Sequence, residues 1–341
     1  MLTGTAEPLA RWTTLRLGGP AAEFREATST PDLYDAVAAA DRDRQAVLVL
    51  GGGSNLLVAD EGFPGRVVRV ATTGIAVRVA AGDVEVTVAA GETWDTLVAH
   101  CVESGWAGVE ALSGIPGTVG AAPIQNVGAY GQEVRETVTA VEVYDRAERV
   151  VRTLTNAECI FSYRGSVFKA RPGRYVVGSV TLRLRADEAA GPIRYAELAS
   201  ALGGAGASAG SIGDVRRAVL AIRDRKGMVL RSDDHDTWSA GSFFTNPMVA
   251  AAEVPAEAPA YPQPDGTVKT SAAWLIERAG FTKGYGTGPA RLSTKHPLAI
   301  TNRGGATTAD VLALARVIRE TVQRRFGIEL RTEPVLVGCQ L

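Results

Sequence analysis

The stretch LSGIPGTVGAAPIQNVGAYGQE, residues 112–133, decides the fold, because so many glycines and prolines exclude a regular helix or a central strand. Its glycines stand at positions 114, 117, 120, 128 and 131. Four of its residues are nevertheless apolar, which predicts packing inside the protein: Ile115, Val119, Ile124 and Val127. An ordered, buried loop must still satisfy its N–H and C=O groups. The segment is therefore either an irregular packed loop or a surface for a large polar cofactor.

A second glycine cluster, LGGGSN at 50–55, follows the apolar run AVLVL, which predicts a buried strand that ends in a tight turn. Backbone N–H groups in such a turn can converge on a phosphate, because no Cβ blocks the approach. The cluster is not a dinucleotide fingerprint, since Leu56 stands where a third glycine would be needed, and the chain contains no GK[ST] of a P-loop. A purely structural turn remains the alternative.

Apolar residues at helical spacing predict helices over 31–43, 92–105, 211–227 and 307–327. In the last one we expect Thr308 as N-cap and Gly327 as the end. Its apolar stripe is predicted to be Val311, Leu314, Val317, Ile318 and Val322. Period-two runs predict strands at 67–72, 76–80 and 84–91 and in VTAVEVYDR, RVVRTLT and YVVGSVTLRL, and GGAGASAGS at 203–211 predicts a flexible surface loop. The fold class is α+β with mixed sheets.

Composition narrows the classes of function. The 341 residues suggest two or three domains, and a net charge of −1 gives no electrostatic reason to expect nucleic acid or an anionic membrane as partner. Three cysteines without a CxxC pair indicate neither a metal site nor a disulfide framework. The first residues lack the apolar core of a signal peptide, and no run is long enough to span a membrane. We expect a soluble, cytoplasmic monomer.

Three shorter motifs carry reactive side chains: Arg164 in YRGSVFK, Ser242 in SAGSFFTNP and Glu333 in LRTEPVLVG. Taken singly, each has an ordinary interpretation, namely a surface ion pair, a cap and an edge charge. The serine is not in a GxSxG nucleophile elbow, and no His–Asp pair completes a hydrolytic triad. If Glu333 were buried without a cation, its pKa would be raised.

Taken together and in this order, the five segments resemble the UDP-N-acetylenolpyruvoylglucosamine reductases, from about Thr13 to about Gly338. The resemblance is to type I of the family. It implies an α+β fold with a two-lobed FAD-binding domain of the vanillyl-alcohol-oxidase kind and a C-terminal α+β substrate-binding domain. We assign residues 1–72 to lobe 1, with 328–341 returning to it, residues 73–225 to lobe 2 and residues 226–327 to the substrate-binding domain.

The resemblance also implies the chemistry, which belongs to bacterial peptidoglycan synthesis. FAD reduced by NADPH would deliver a hydride to C3 of an enolpyruvyl ether of a UDP-sugar. Arg164 would stabilise the enolate-like charge that develops on C2 and the substrate carboxylate. Glu333, if protonated, would donate a hydrogen bond to that carboxylate, and Ser242 would give a proton to C2.

Binding roles follow from the same resemblance. The residues implied for FAD are Gly51, Gly52, Gly53, Ser54, Asn55, Ser113, Ile115, Pro116, Gly117, Gly120, Gly128 and Tyr130. Those implied for the substrate are Tyr163, Tyr195, Lys226, Asn246 and Lys269, of which Tyr195 is the tyrosine that closes over the substrate in type I. No role falls to His100, His235 or His296, and no metal is implied. Two departures are Ala121 and Ala122, where some members have serines, and a long connector at 227–241.

Two other functions remain open at this stage. The first keeps the flavin fold but makes the protein an oxidase of an alcohol or another sugar. Such oxidases often tether FAD through His or Cys, and neither glycine loop contains histidine. The second is a nucleotide-binding module without catalysis, against which the presence of Arg164, Ser242 and Glu333 argues.

Overall fold

Helices form where the sequence repeats apolar residues at helical spacing. The computed structural model describes residues 7–80, 82–204 and 210–341. Within them the α-helices are α1 (Thr30–Arg42), α2 (Trp94–Glu103), α3 (Val167–Ala170), α4 (Ala196–Ala201), α5 (Ile212–Arg225), α6 (Ala272–Arg278) and α7 (Thr308–Phe326). Short 3₁₀ turns occur at Leu9–Trp12, Glu110–Leu112, Val119–Ala121, Val134–Glu136, His235–Thr237 and Ala251–Glu253. None of the helices in these ranges is long and apolar enough to cross a bilayer.

The strands are mostly short. In chain order they are β1 (Glu7–Pro8), β2 (Pro20–Ala27), β3 (Val47–Leu50), β4 (Leu56–Val58), β5 (Phe63–Val70), β6 (Ile75–Ala80), β7 (Asp83–Ala89), β8 (Trp106–Ala107), β9 (Gly128–Ala129), β10 (Gln132–Glu133), β11 (Val138–Asp145), β12 (Val150–Thr155), β13 (Tyr175–Ala186), β14 (Met248–Val249), β15 (Ala260–Pro262), β16 (Val268–Thr270), β17 (Ala290–Leu292), β18 (Ile300–Asn302) and β19 (Val335–Val337). The period-two runs of the sequence therefore form strands.

The chain divides into two compact units. Among the described residues, unit 1 contains 22–52 and 64–224, and unit 2 contains 7–21, 53–63 and 225–341. The division into three lobes made from the sequence stays a prediction. The segment LGGGSN passes from unit 1 into unit 2 after Gly52.

Unit 1 holds two larger sheets and the two-stranded hairpin of β9 and β10. In one, β2, β5 and β3 lie side by side, and β3 runs parallel to β5. The other has the order β12-β11-β13-β7-β6, with β8 paired to the end of β13. Along β7 the alternate residues Val84, Val86 and Val88 are fully buried, as the period of two predicts. Helix α1 packs on the same core through Leu33 and Val37, and Ala40 on the same face is also fully buried.

Unit 2 has its own apolar core, in which α6, α7 and the buried rings of Phe243, Phe244 and Phe281 meet. The C-terminal strand β19 runs parallel to β4, with Val335 opposite Leu56. Strand β16 lies between β14 and β15, and β17 pairs with β18 as an antiparallel hairpin. These strands carry or flank the segments GSFFTNP and RTEP.

The prediction of Thr308 as the N-cap of α7 is wrong. The N-cap is Thr307, whose hydroxyl accepts from the Asp310 N–H while the Asp310 carboxylate accepts from the Thr307 N–H, a capping box. Thr308 instead donates its buried hydroxyl to the carbonyl of Val58, at 2.6 Å. Gly327 ends the helix with φ 71°, as predicted.

Two predicted core positions are exposed. In the stripe of α7, Val317 is 47% exposed, while Leu312 and Ala315 are buried in its place. In the long glycine segment, Val119 is buried but Ile124 is 39% exposed. The predicted surface loop at 203–211 falls mainly on residues 205–209, which lie outside the described residues.

Candidate functional site

The two glycine loops of unit 1 lie against each other. A Cβ on Gly52 would lie 2.7 Å from Gly117 Cα, and one on Gly51 would lie 2.6 Å from Thr118 Oγ1. Such separations are too short for real side chains, so the loops meet backbone to backbone at Gly52, while Gly51 lies against the Thr118 side chain. Two segments distant in sequence thus form one surface of peptide groups, as anion-binding loops require.

The segment from Ser113 to Gly120 is held by the start of α2. Ser113 donates its buried hydroxyl to the Glu110 carbonyl at 2.7 Å, and the Gly114 N–H donates to Asp95 Oδ1 at 2.6 Å. The N–H of Trp94 donates to the Gly117 carbonyl at 3.0 Å. Gly114 and Gly117 have φ of 70° and 117°, values that side chains disfavour. The predicted cofactor loop is therefore an ordered structure, fixed by hydrogen bonds.

Helix α5 anchors this loop through charged groups that the sequence did not single out. Arg216 forms a bidentate pair with Asp95, at 2.6 and 3.0 Å. Burial disfavours the Asp95 carboxylate, but hydrogen bonds from Arg216 and Gly114, with the charges of Arg216 and Arg223, outweigh it and lower its pKa. The Asp95 carboxylate thus stays ionised where it accepts the hydrogen bond from the Gly114 N–H.

Tyr130 stands at the turn between β9 and β10 with a left-handed φ of 49°. Burial, its largest influence, raises the pKa of this phenol, although a hydrogen bond from Arg223 opposes the rise. The exposed ring of Tyr195 meets the Tyr130 ring edge-on, with centroids 5.4 Å apart. The structure therefore brings a predicted flavin residue and a predicted substrate residue together.

A cavity of about 290 Å³ opens beside Tyr130. Gly131, Gln132, Arg183 and Arg194 are among the residues that line it. Its volume is at the lower end of the range of small-molecule sites. No motif in the sequence indicated this cavity.

Arg164 lies beside the same hairpin, because a Cβ on Gly128 would be 3.5 Å from Arg164 Nη1. Its φ of 51° is left-handed, an uncommon conformation for a side-chain-bearing residue and one found at functional sites. The buried Asn126 links the two elements, since its amide donates to Glu133 Oε2 at 2.8 Å and to the Ser162 carbonyl at 3.0 Å. The guanidinium of the neighbouring Arg164 also lies 5.7 Å from the Tyr163 ring centroid. Asn126 was missed by sequence reasoning.

In unit 2 the segments GSFFTNP and RTEP pair in an antiparallel manner. The Glu333 N–H donates to the Phe243 carbonyl at 2.9 Å, and the Thr245 N–H donates to the Arg331 carbonyl at 3.0 Å. Ser242 and Glu333 are both half-buried, and the pairing places them on adjacent segments. Phe243 itself is 1% exposed, so this pairing stands on the apolar core.

The other predicted residues of unit 2 lie in turns and short strands. Gly53 has φ 59°, and a Cβ there would lie 1.8 Å from the Trp12 carbonyl oxygen. Asn55, which follows Ser54 in the turn, donates its side-chain amide to the Glu333 carbonyl at 3.3 Å.

Asn246 lies just before β14 and Lys269 lies on β16, the central strand of the β14–β16–β15 sheet. The side-chain oxygen of Asn246 accepts from the Ala272 N–H at the start of α6, at 3.0 Å. Lys269 sits on β16, with its Nζ 5.8 Å from the Tyr261 ring centroid. Lys226 is half-buried just after α5. No group of three or more His, Cys, Asp or Glu that could hold a metal occurs in the described part of the chain.

Two family models match separate parts of the chain. Residues 21–154 match the family model of the FAD binding domain, which makes the chain a flavoprotein. Residues 233–337 match the model of the UDP-N-acetylenolpyruvoylglucosamine reductase C-terminal domain. The chain belongs to the UDP-N-acetylenolpyruvoylglucosamine reductase family. The predicted α+β fold, an FAD-binding domain followed by a C-terminal domain of this family, is confirmed.

Full-length relatives support this assignment. The chain is 57% identical to the UDP-N-acetylenolpyruvoylglucosamine reductase of Thermobifida fusca, over 98% of both chains. It is 53% identical to that of Streptomyces avermitilis, over 98% of this chain and 94% of the relative. The crystal structure of the enzyme from Thermus caldophilus is 29% identical and superposes with a TM-score of 0.67, covering 98% of each chain.

Proposed function

We propose that the chain is an FAD-containing, NADPH-dependent reductase that converts UDP-N-acetylenolpyruvoylglucosamine to UDP-N-acetylmuramate. Full-length similarity to reductases of that name carries the proposal. The product is a peptidoglycan precursor, so the reaction serves cell-wall synthesis, cell shape and division.

The glycine loops of unit 1 fit the FAD diphosphate. Gly52 and Gly117 approach so closely that only peptide groups face each other there. Peptide N–H dipoles favour the negative charge of a diphosphate. We assign this role to Gly51, Gly52, Gly53, Ser54, Asn55, Ser113, Ile115, Pro116, Gly117 and Gly120, and assign the flavin end to Gly128 and Tyr130. The fit rests on backbone groups, so it does not need the serines that Ala121 and Ala122 replace.

The chain's own side chains supply binding and proton transfer. Bound FAD, once reduced by NADPH, supplies the hydride. Arg164 holds the substrate carboxylate and stabilises the negative charge that develops on it. Ser242 donates a proton to C2, and Glu333, in its protonated form, donates a hydrogen bond to the substrate carboxylate. A serine hydroxyl is a weak acid, so this transfer needs a strongly basic enolate and close positioning.

The remaining side chains bind the UDP-sugar. Lys226 acts as a point cation on the diphosphate, and Asn246 and Lys269 contact the nucleotide sugar. Tyr163 and Tyr195 also contact the substrate. The net charge of the chain is −1, so the protein has no general positive field that would attract the anionic UDP-sugar. The sugar nucleotide is therefore held by a few individual cations.

We further propose that the enzyme is a cytoplasmic monomer. Its two nucleotide substrates carry several charges and do not cross a bilayer unaided, which supports the compartment. Light scattering of the purified protein would test the oligomeric state, and a stable dimer would contradict the proposal.

The decisive experiment is direct. Purified protein should be yellow, with flavin absorbance bands, and should oxidise NADPH only when the enolpyruvyl-UDP-sugar is present. A colourless protein that binds no added FAD would refute the proposal. Flavin reduction by an alcohol or another sugar, with reoxidation by oxygen, would instead support the oxidase alternative.

The substitution Glu333→Gln is expected to leave substrate binding intact but to lower kcat by about 10²-fold, the lower range for an acid–base residue. Glutamine keeps the size and one acceptor of the side chain but cannot be an acid. Steady-state kinetics with varied substrate separate KM from kcat. The matched control is Glu329→Gln, four residues earlier on the same segment and exposed. Turnover of Glu333→Gln equal to that of the control would remove Glu333 from catalysis.

A further inference from the structure

The connector, residues 227–241, separates two residues of the proposed site, Lys226 and Ser242. Its first residue, Gly227, has φ 64°, and a Cβ there would lie 3.2 Å from the Asp236 carbonyl oxygen and 3.3 Å from Lys295 Cδ. The beginning of the connector therefore touches its own later part. Lys226 is one peptide bond away from this contact.

Thr237 closes the connector on itself. Its hydroxyl oxygen accepts from the Arg231 N–H at 3.0 Å, and lies 2.9 and 2.7 Å from the carbonyl oxygens of Arg231 and Asp234. The indole N–H of Trp238 donates to the same Arg231 carbonyl at 3.0 Å. The long connector thus forms a loop that is closed by its own hydrogen bonds between residues 231 and 238.

Asp236 ties this loop to the residues between β17 and β18. Its carboxylate accepts from the Thr294 N–H at 2.8 Å and from the Thr294 hydroxyl at 2.6 Å, and Arg303 Nη1 lies 3.0 Å away. Burial opposes its ionisation, but the bonds from Thr294 and Ser293 and the charge of Arg303 outweigh it and lower the pKa of Asp236. The neighbouring Asp234 pairs with Lys295.

The same hairpin also fixes the end of the connector. The Asn302 N–H donates to the Trp238 carbonyl at 3.0 Å, and the Phe243 N–H donates to the Leu298 carbonyl at 2.8 Å. Both ends of the connector therefore contact the β17–β18 hairpin. A change at the Asp236 side chain would release the connector from Thr294 and would thereby loosen the Asp236 backbone that lies against Gly227.

We propose that Asp236 is a positioning residue that sets the location of Lys226 by holding the connector against the β17–β18 hairpin. The affinity of Lys226 for the substrate diphosphate depends on that location. The inference rests on the proposed function, in which Lys226 binds that diphosphate. Asp236 acts on the substrate only through Lys226. Its removal should therefore have no effect once the lysine ammonium is gone.

The test is a double-mutant cycle on the full-length flavoprotein. Asp236→Asn should raise the KM for the enolpyruvyl-UDP-sugar and the calorimetric Kd for UDP by about tenfold. Lys226→Ala should raise both as much or more. In the Lys226→Ala protein, Asp236→Asn should then add nothing, because the two changes act through one contact.

A matched control exists in the same unit. Asp310 accepts from the N–H and hydroxyl of Thr307 at 2.8 and 2.7 Å, just as Asp236 does from Thr294. Asp310→Asn should leave KM and Kd unchanged. If Asp236→Asn does not fold, Thr294→Ala removes only the hydroxyl bond and should give a smaller increase with the same non-additivity.

Equal effects of Asp236→Asn with and without Lys226, or no effect on UDP affinity, would overturn the positioning role. Failure of the wild-type enzyme to turn over the enolpyruvyl-UDP-sugar would instead refute the proposed function. The two failures are distinguishable, because UDP binding is measured without turnover.

Discussion

Replacing Ser242 by alanine should leave the reduction of FAD by NADPH nearly intact, while reoxidation by the enolpyruvyl substrate slows by about 10²–10⁴-fold. Only the second half-reaction needs a proton at C2. The backbone at this position is held by Phe243, which is 1% exposed and whose carbonyl accepts from the Glu333 N–H. Loss of one hydroxyl oxygen should not move that pairing, so the rate should report on the proton donor.

Anaerobic stopped-flow measurements of flavin absorbance separate the two half-reactions. Ser242→Cys is the informative companion, because a thiol keeps a donor proton at nearly the same place and should recover part of the lost rate. Equal slowing of both half-reactions in Ser242→Ala would make the serine a binding or folding residue.

The sequence predicted where helices form better than it predicted the residues at which they begin. Periodicity placed α1 and α7 correctly because each buries one face on its core. The cap of α7 was missed because Thr307 and Thr308 are adjacent, and only the spacing to Asp310 marks the capping box. The hydroxyl of Thr308 is bound to Val58, a partner that no local pattern reveals.

In the candidate site too, features that depend on neighbouring residues were predictable from the sequence, and contacts between residues far apart in the chain were not. Glycine loops and the order of motifs indicate a flavoprotein, since backbone approach to a large ligand requires glycine locally. Asp95 and Asp236 could not be found this way, because their partners Arg216 and Thr294 are far along the chain. Such anchoring carboxylates look like any surface aspartate in the sequence.

The substitution Gly52→Ala should weaken FAD binding by about tenfold or more, which corresponds to about 1.4 kcal/mol per factor of ten. Gly52 does not have a left-handed φ, so alanine is compatible with its backbone conformation. The new methyl group, however, would lie 2.7 Å from Gly117 Cα and 3.2 Å from its carbonyl carbon. Backbone cannot rotate away as a side chain can, so the two loops must separate.

Gly51→Ala provides the matched control for that experiment. Its methyl group would meet Thr118 Oγ1 at 2.6 Å, the end of a side chain that can rotate. We therefore expect a small loss of FAD affinity, relieved by adding Thr118→Ala. Flavin content and the Kd for FAD from fluorescence quenching, with thermal unfolding of the apoproteins, distinguish local from global damage. If Gly52→Ala keeps wild-type FAD affinity, the close apposition of the two glycine loops is not what holds the cofactor. If both variants lose FAD affinity equally and their Tm falls equally, the effect is one of folding.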